Sequence, residues 1–275
     1  MNKNNSFLTL VLILLSILLV PSNEVNGQNN QIPVQLIAHR GGIIDETRSE
    51  NSRAAIEEAI LRGYWMIEID LRKTSDGYVI VHHDPTFKKD YYDSRAVADM
   101  KWSEIRELRS AKDGSRPLLF EEVAQMASGK INLMLDVKGN DFEDSFYKEI
   151  ENILKEHDLF SDTFVLSGSE AQDYFLGKLS LSIDFEDLVE AAKNDEDVSV
   201  RYHLFELGNN LEQNMINTAH KLGVRVVAAI NVFRYQQMSG GDIWNAARQD
   251  IDRLMNLGVE YFQVDSIYEP LFKGE

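Results

Sequence analysis

From Val34 to Val264 the sequence alternates short apolar runs with amphipathic stretches, and this rhythm constrains the fold more than any other feature. The apolar runs are Val34–Ala38, Met66–Leu71, Ile131–Val137, Thr163–Ser167, Leu179–Ile183, Tyr202–Leu207, Val224–Ile230 and Glu260–Val264. Helical patterns lie between most of them, at Ser52–Leu61, Asp141–Lys155, Leu211–Leu222 and Asp242–Leu257. Gly63, Gly223 and Gly258 each fall just before the next run, where a helix C-cap needs a left-handed residue. Strand and helix in regular succession imply parallel pairing, so the pattern predicts an α/β fold, a TIM-type (β/α)8 barrel. Residues 28–275 suit one such barrel, which takes about 250 residues.

One segment breaks the rhythm. Tyr78–His83 follows Met66–Leu71 too closely for a parallel crossover, and Asp76-Gly77 between them is a hairpin signal. The reading is an antiparallel strand protruding from the barrel rim, followed by a small insertion at about 84–117 with a helix at Trp102–Leu108. With Asp76-Gly77 as a two-residue turn, Ser75 pairs with Tyr78 and Asp70 lies across from His83. Glu68, Asp70 and His83 would then share a face, with His82 on the other, unless a bulge at the turn shifts the register by one.

The N-terminus reads as a leader rather than as fold. Lys3 precedes the apolar run Phe7–Val20, and small and polar residues follow from Pro21 to Gly27. That order is a secretory signal, with residues 1–27 removed. The run falls short of the about 20 residues that span a bilayer comfortably. No later stretch is apolar enough to cross a membrane, so no stable insertion is expected after cleavage, and a secreted or periplasmic location follows. The sequence has no cysteine, which excludes a disulfide framework and a lipidated cysteine. Formal net charge is -17, and Lys3 and Glu24 cancel, so the leader does not alter it. Such a surface opposes nucleic acid and anionic lipid, and a phosphate substrate would need a local cation.

The chemistry-bearing residues fall at C-terminal strand ends or on the hairpin, where barrels of this kind carry their active sites. His39 and Arg40 end the first strand before Gly41-Gly42; Glu68 and Asp70 lie on the second; Asp136 and Lys138 follow Ile131–Leu135. Glu68, Asp70 and Asp136 at one rim cannot all stay ionised without a compensating cation. An all-oxygen set favours Ca2+ or Mg2+. His39 and His83 beside it suit phosphodiester cleavage, one taking a proton from the attacking hydroxyl and the other protonating the leaving alkoxide. Arg40 and Lys138 would bind the phosphate and stabilise charge on its non-bridging oxygens. Taken singly, each motif is also explained by a turn, a polar strand face or a surface ion pair; their convergence on one rim carries the assignment.

In these residues the chain resembles the glycerophosphodiester phosphodiesterase family. The matching stretches are His39-Arg40-Gly41-Gly42, Glu50-Asn51-Ser52, Ile67-Glu68-Ile69-Asp70-Leu71, Thr74-Ser75-Asp76-Gly77, His83-Asp84-Pro85-Thr86 and Asp136-Val137-Lys138, with Arg116–Glu122 leading into the next helix. The resemblance is specific over residues 36 to 138 and thin afterwards. It implies one divalent cation held by Glu68, Asp70 and Asp136, and His39 and His83 as the acid–base pair. It also implies hydrolysis of a glycerophosphodiester to an alcohol and glycerol 3-phosphate, with Glu50 and Asn51 beside the phosphate. Three departures stand out: Asp136 where the family usually has Glu, Phe87-Lys88-Lys89-Asp90 after the His83 turn, and Ala228-Ala229-Ile230-Asn231 without the usual aromatic residue.

His157, His203 and His220 read as structural or exposed, and Asp184–Glu190 as a solvated helix start. Glu206 and Asp265 stand at late strand ends without an assigned role. Two other functions compete: a phospholipase C-like or sphingomyelinase D-like lipid phosphodiesterase, and a binding barrel without catalysis.

Overall fold

The computed structural model describes residues 34–166, 168–194, 197–208, 210–238 and 241–273, and the leader at 1–27 lies outside them. Eight parallel strands close on themselves: β1 (Gln35–Ala38), β2 (Met66–Lys73), β5 (Asn132–Val137), β6 (Phe164–Val165), β7 (Ser180–Ile183), β8 (Tyr202–Glu206), β9 (Arg225–Ile230) and β10 (Tyr261–Val264). β1 pairs with both β2 and β10, which shuts the ring. Helices connect them, and the chain is the TIM (β/α)8 barrel that the sequence rhythm predicts.

Strand alternation sorts the side chains. Ile67, Ile69 and Leu71 on β2 point outward with Leu133, Leu135 and Val137 on β5, and join the helix faces in the outer core. A second outer core lines β8 to β10 around Leu204, Val226 and Phe262. The inward residues Ile37, Met66, Met134, Phe164 and Val227 plug the barrel floor. Two residues further along the same pleat stand His39, Glu68 and Asp136, so the apolar plug becomes the polar floor of a site within one repeat of the strand period.

Side chains cap two of the helix starts. Ser52 caps the helix Arg53–Leu61 by accepting the Ala55 N–H at 3.2 Å, and Asp242 caps Ile243–Leu257 by accepting the Asn245 N–H at 3.0 Å. Gly258 ends the latter with a φ of 96°.

The protruding strand is real, but its register is not the predicted one. β3 (Val79–Val81) runs antiparallel to β2, with Leu71 opposite Val81 and Lys73 opposite Val79. Thr74 and Tyr78 close a three-residue loop, Ser75-Asp76-Gly77, in which Gly77 has a φ of 89°. Thr74 Oγ1 accepts the Tyr78 N–H and donates to Asp76, which favours the longer loop. Asp70 therefore lies across from His82, whose N–H donates to the Asp70 carbonyl at 2.9 Å. The His82 ring turns into the insertion, stacking on Phe87 at 4.6 Å with Nε2 on the Thr86 carbonyl. His83 reaches the barrel mouth because the strand stops at Val81. The insertion is capped by β4 (Leu118–Leu119), antiparallel to β3, and packs its own small core of Ile80, Phe87, Val97, Met100 and Ile105. Its predicted helix is a single turn, Trp102–Ile105.

His203, on the inward face of β8, is fully buried; its ring stacks on Phe164 at 4.2 Å and Nδ1 meets Ser180 Oγ at 3.1 Å. Burial, reinforced by Arg225, lowers its pKa from 6.5 to about 3. Unfolding exposes an imidazole that binds a proton the folded chain refuses. Stability from this residue is therefore intact above pH 6.5 and lost progressively towards pH 3, at about 1.4 kcal/mol per pH unit. Urea titrations of His203→Phe between those limits should show a shallower acid dependence than the parent. Parallel curves would show that the residue does not contribute.

Candidate active site

The first inward pleat position beyond β1 is His39, and the chain then turns sharply. Arg40 adopts a left-handed backbone (φ 52°, ψ 47°), which turns its own N–H onto Glu68 Oε2 at 2.7 Å. Gly41 and Gly42 follow at φ 78° and 130° and press against the Asn51 backbone and the helix Arg53–Leu61. A Cβ on Gly42 would come within 2.2 Å of the Ala55 carbonyl oxygen. Gly42→Ala should therefore destabilise the protein by roughly 2–6 kcal/mol, from backbone strain plus overpacking. A thermal melt within one degree of the parent would contradict that packing.

The two histidines are held alike. His39 Nδ1 lies 2.6 Å from Asp265 Oδ1, and His83 Nδ1 lies 2.7 Å from Asp84 Oδ1. A carboxylate only accepts, so each Nδ1 carries the proton and each Nε2 is left for chemistry. His39 Nε2 faces Glu68 at 4.0 Å, and His83 Nε2 accepts from Arg40 Nη2 at 3.2 Å. The Asp265 side chain is fixed in turn. Asp265 Oδ2 accepts the Val232 N–H at 2.6 Å. Burial raises its carboxyl, but the His39 hydrogen bond and charge, with Val232, outweigh it and leave it below its ordinary value. Asp84 is lowered likewise, with His83 overcoming the desolvation. Arg72 anchors His83 from behind by donating Nε and Nη2 to its carbonyl.

Glu68, Asp70 and Asp136 converge, with one oxygen of each within 4.8 Å of the others. Glu68 and Asp70 are both 1% exposed. Burial pushes the Glu68 carboxyl well above its ordinary value, and Asp70 and Asp136 push it further. Lys138 supplies the neighbouring ammonium, 2.5 Å from Asp136 and 3.2 Å from Asp70. Asn51 Nδ2 donates to Asp70 at 3.1 Å, using a left-handed backbone with φ 55°. One ammonium against three carboxylates leaves negative charge uncompensated. The buried all-oxygen donor set fits a hard divalent cation held by Glu68, Asp70 and Asp136. Glu50, beside them, is paired with Arg40 at 3.1 Å and Lys89 at 2.8 Å.

His39, Arg40, Glu68, His83, Asp136 and Lys138 all line one cavity of about 880 Å³ at the C-terminal mouth of the barrel. Asp70 sits just beneath, under Lys138 and Asn51. The far wall comes from the end of β7 and the helix Phe185–Asn194, so the acidic helix start lines the cavity rather than merely facing solvent. Asp265 is the residue of the candidate site that motif reading left unassigned. Its signal was its place directly after β10, at the end of the barrel that carries chemistry. The remaining histidines lie elsewhere: His203 in the barrel plug, His157 on Glu121 at 2.6 Å, and His220 exposed in the last turn of the helix Gln213–Lys221.

Residues 39–158 match the glycerophosphoryl diester phosphodiesterase family, a span that carries both histidines and all three clustered carboxylates. That match covers 120 of the 275 residues, and over it the chain is similar to this family. Among its relatives in sequence, glycerophosphodiester phosphodiesterase 1 of Homo sapiens is 33% identical over 116 residues, covering 39% of this chain and 34% of that protein. Lysophospholipase D GDPD1 of Mus musculus is 28% identical over 134 residues, 44% of this chain and 41% of that protein. The chain thus spans well under half the length of these relatives. Solved structures agree on the fold. Glycerophosphodiester phosphodiesterase from Agrobacterium tumefaciens superposes with a TM-score of 0.65 at 20% identity, covering 88% of this chain and all of that one. The enzyme from Thermotoga maritima gives 0.60 at 19% identity, over 86% of this chain and 96% of the other. Asp265 and the acidic far wall lie outside the stretch that matches the glycerophosphoryl diester phosphodiesterase family.

Proposed function

We propose that the chain is an exported, metal-dependent glycerophosphodiester phosphodiesterase that releases an alcohol and glycerol 3-phosphate. The observation that carries the reading is the pair of Asp-held imidazoles, His39–Asp265 and His83–Asp84, flanking one carboxylate cluster. Each Nε2 can hold or pass a proton while its ring is fixed from behind. One imidazole takes the proton from the attacking hydroxyl onto its Nε2, and the other, protonated on both ring nitrogens, gives its Nε2 proton to the leaving alkoxide oxygen as the P–O bond breaks. Arg40 and Lys138 face the cavity and offset negative charge that grows on the non-bridging oxygens. Lys138 keeps its proton: burial disfavours the charged form, but Asp70 and Asp136 more than offset it and raise its pKa. A divalent cation, Ca2+ or Mg2+, bound by Glu68, Asp70 and Asp136 would supply Lewis-acid stabilisation of the phosphoryl oxygens.

Export rests on the leader read at residues 1–27. Among the described residues no helix is long and apolar enough to cross a membrane. The deciding assay incubates the protein with glycerophosphocholine and Ca2+ or Mg2+ and measures glycerol 3-phosphate. Release with divalent cation and none with chelator is expected. Release of phosphocholine, or no turnover, would overturn the reading.

A further inference from the structure

Two residues of the loop after β1 have left-handed backbones, Arg40 at φ 52° and Asn51 at φ 55°. They are locked to each other, the Asn51 N–H donating to the Arg40 carbonyl at 2.9 Å. From this lock two donors reach the two buried carboxylates: the Arg40 N–H meets Glu68 Oε2 at 2.7 Å, and Asn51 Nδ2 meets Asp70 Oδ2 at 3.1 Å. A carboxylate only accepts, so the amide nitrogen faces Asp70. Asn51 is 4% exposed and is not among the residues that line the cavity, so it meets Asp70 from behind. An asparagine in a left-handed turn ordinarily serves its own backbone. This one does not. Its Oδ1 is buried without a partner, and the bond to Asp70 is the one hydrogen bond of its side chain among the described residues. Gly41 leaves room for the amide, since a Cβ there would stand 2.7 Å from that Oδ1. The loop is also held on its outer side. The Ser49 N–H donates to Asp113 Oδ2 at 2.8 Å and the Ser49 hydroxyl meets Ser110 Oγ at 2.9 Å, so the insertion braces the segment that carries Asn51.

We propose that Asn51 is a positioning residue for the divalent cation, acting through Asp70. Its amide fixes the direction in which the Asp70 carboxylate faces, while each oxygen of that carboxylate keeps a further lone pair for the ion. This role rests on the metal-dependent reading and deepens it. It puts Asn51 behind the cation rather than beside the phosphate, the place implied by the family resemblance.

The test measures Ca2+ and Mg2+ affinity by isothermal titration calorimetry, with the Tm rise on adding each ion, for the parent, Asn51→Gly and Asn51→Ala. Both substitutions remove the amide, but only alanine strains a left-handed backbone. Asn51→Ala should therefore melt below Asn51→Gly without ion. The two variants should nonetheless bind the ion equally, and about 10–100-fold more weakly than the parent. At saturating ion the KM for glycerophosphocholine should match the parent, because no phosphate contact is lost. Parental ion affinity in Asn51→Gly overturns the positioning role, since the backbone alone would then account for the residue, and spares the metal and phosphodiesterase readings. A raised KM at saturating ion would return Asn51 to the phosphate and overturn its placement. A parent that binds neither ion overturns both this role and the metal reading.

Discussion

His39→Ala is expected to lower kcat for glycerophosphocholine by about a thousandfold, within the range for losing a positioned acid or base. The ring contributes its Nε2 beside Glu68, and alanine leaves nothing to carry the proton. Asp265→Asn provides the graded counterpart. An amide can donate to Nδ1, which favours the opposite tautomer and puts the proton on Nε2, so kcat should fall steeply while KM moves little. His82→Ala is the control. That ring packs on Phe87 inside the insertion, so the variant should lose stability and retain most of its turnover. Near-parental kcat in His39→Ala would remove the acid–base assignment, whatever the substrate.

The second large effect concerns the carboxylate cluster. Dialysis against a chelator should abolish turnover, and Ca2+ or Mg2+ should restore it. The same addition should stabilise the fold independently of catalysis. A hundredfold excess over Kd contributes about 2.7 kcal/mol, or roughly 5–11 °C in Tm for a domain of this size. Asp136→Asn should erase most of that shift, because it removes one of the three charges that converge with Glu68 and Asp70. A Tm indifferent to divalent ions together with undiminished activity in chelator would sink the proposed metal site. Protonation of Glu68, which burial and its two acidic neighbours favour, would then explain how the cluster is tolerated.

The barrel was legible because its signal is redundant. Each apolar run, amphipathic stretch and trailing glycine repeats the same instruction, so trimming Ile131 from β5 or Thr163 from β6 changes nothing. The hairpin register depended on one local choice, between a two-residue turn and a three-residue loop, and Thr74's hydroxyl tipped it. The deduction that Asp70 faces His83 failed for that reason, although His83 does line the cavity by leaving the strand early. Asp265 was hidden for a different reason. Its partner His39 is 226 residues away, and no local spacing can announce a contact made across the barrel seam. The acidic stretch Asp184–Glu190 reads locally as an ordinary helix start, and only the fold shows that it looks across at Arg40 and Lys138.

That seam has a consequence for biogenesis. His39 stands at the first strand and Asp265 just past the last, and they meet only once β1 has docked on β10. A nascent polypeptide, with its two ends apart, would lack this dyad even after the hairpin and its own histidine had formed. On the phosphodiesterase reading, hydrolytic competence would then arrive only when the barrel has closed.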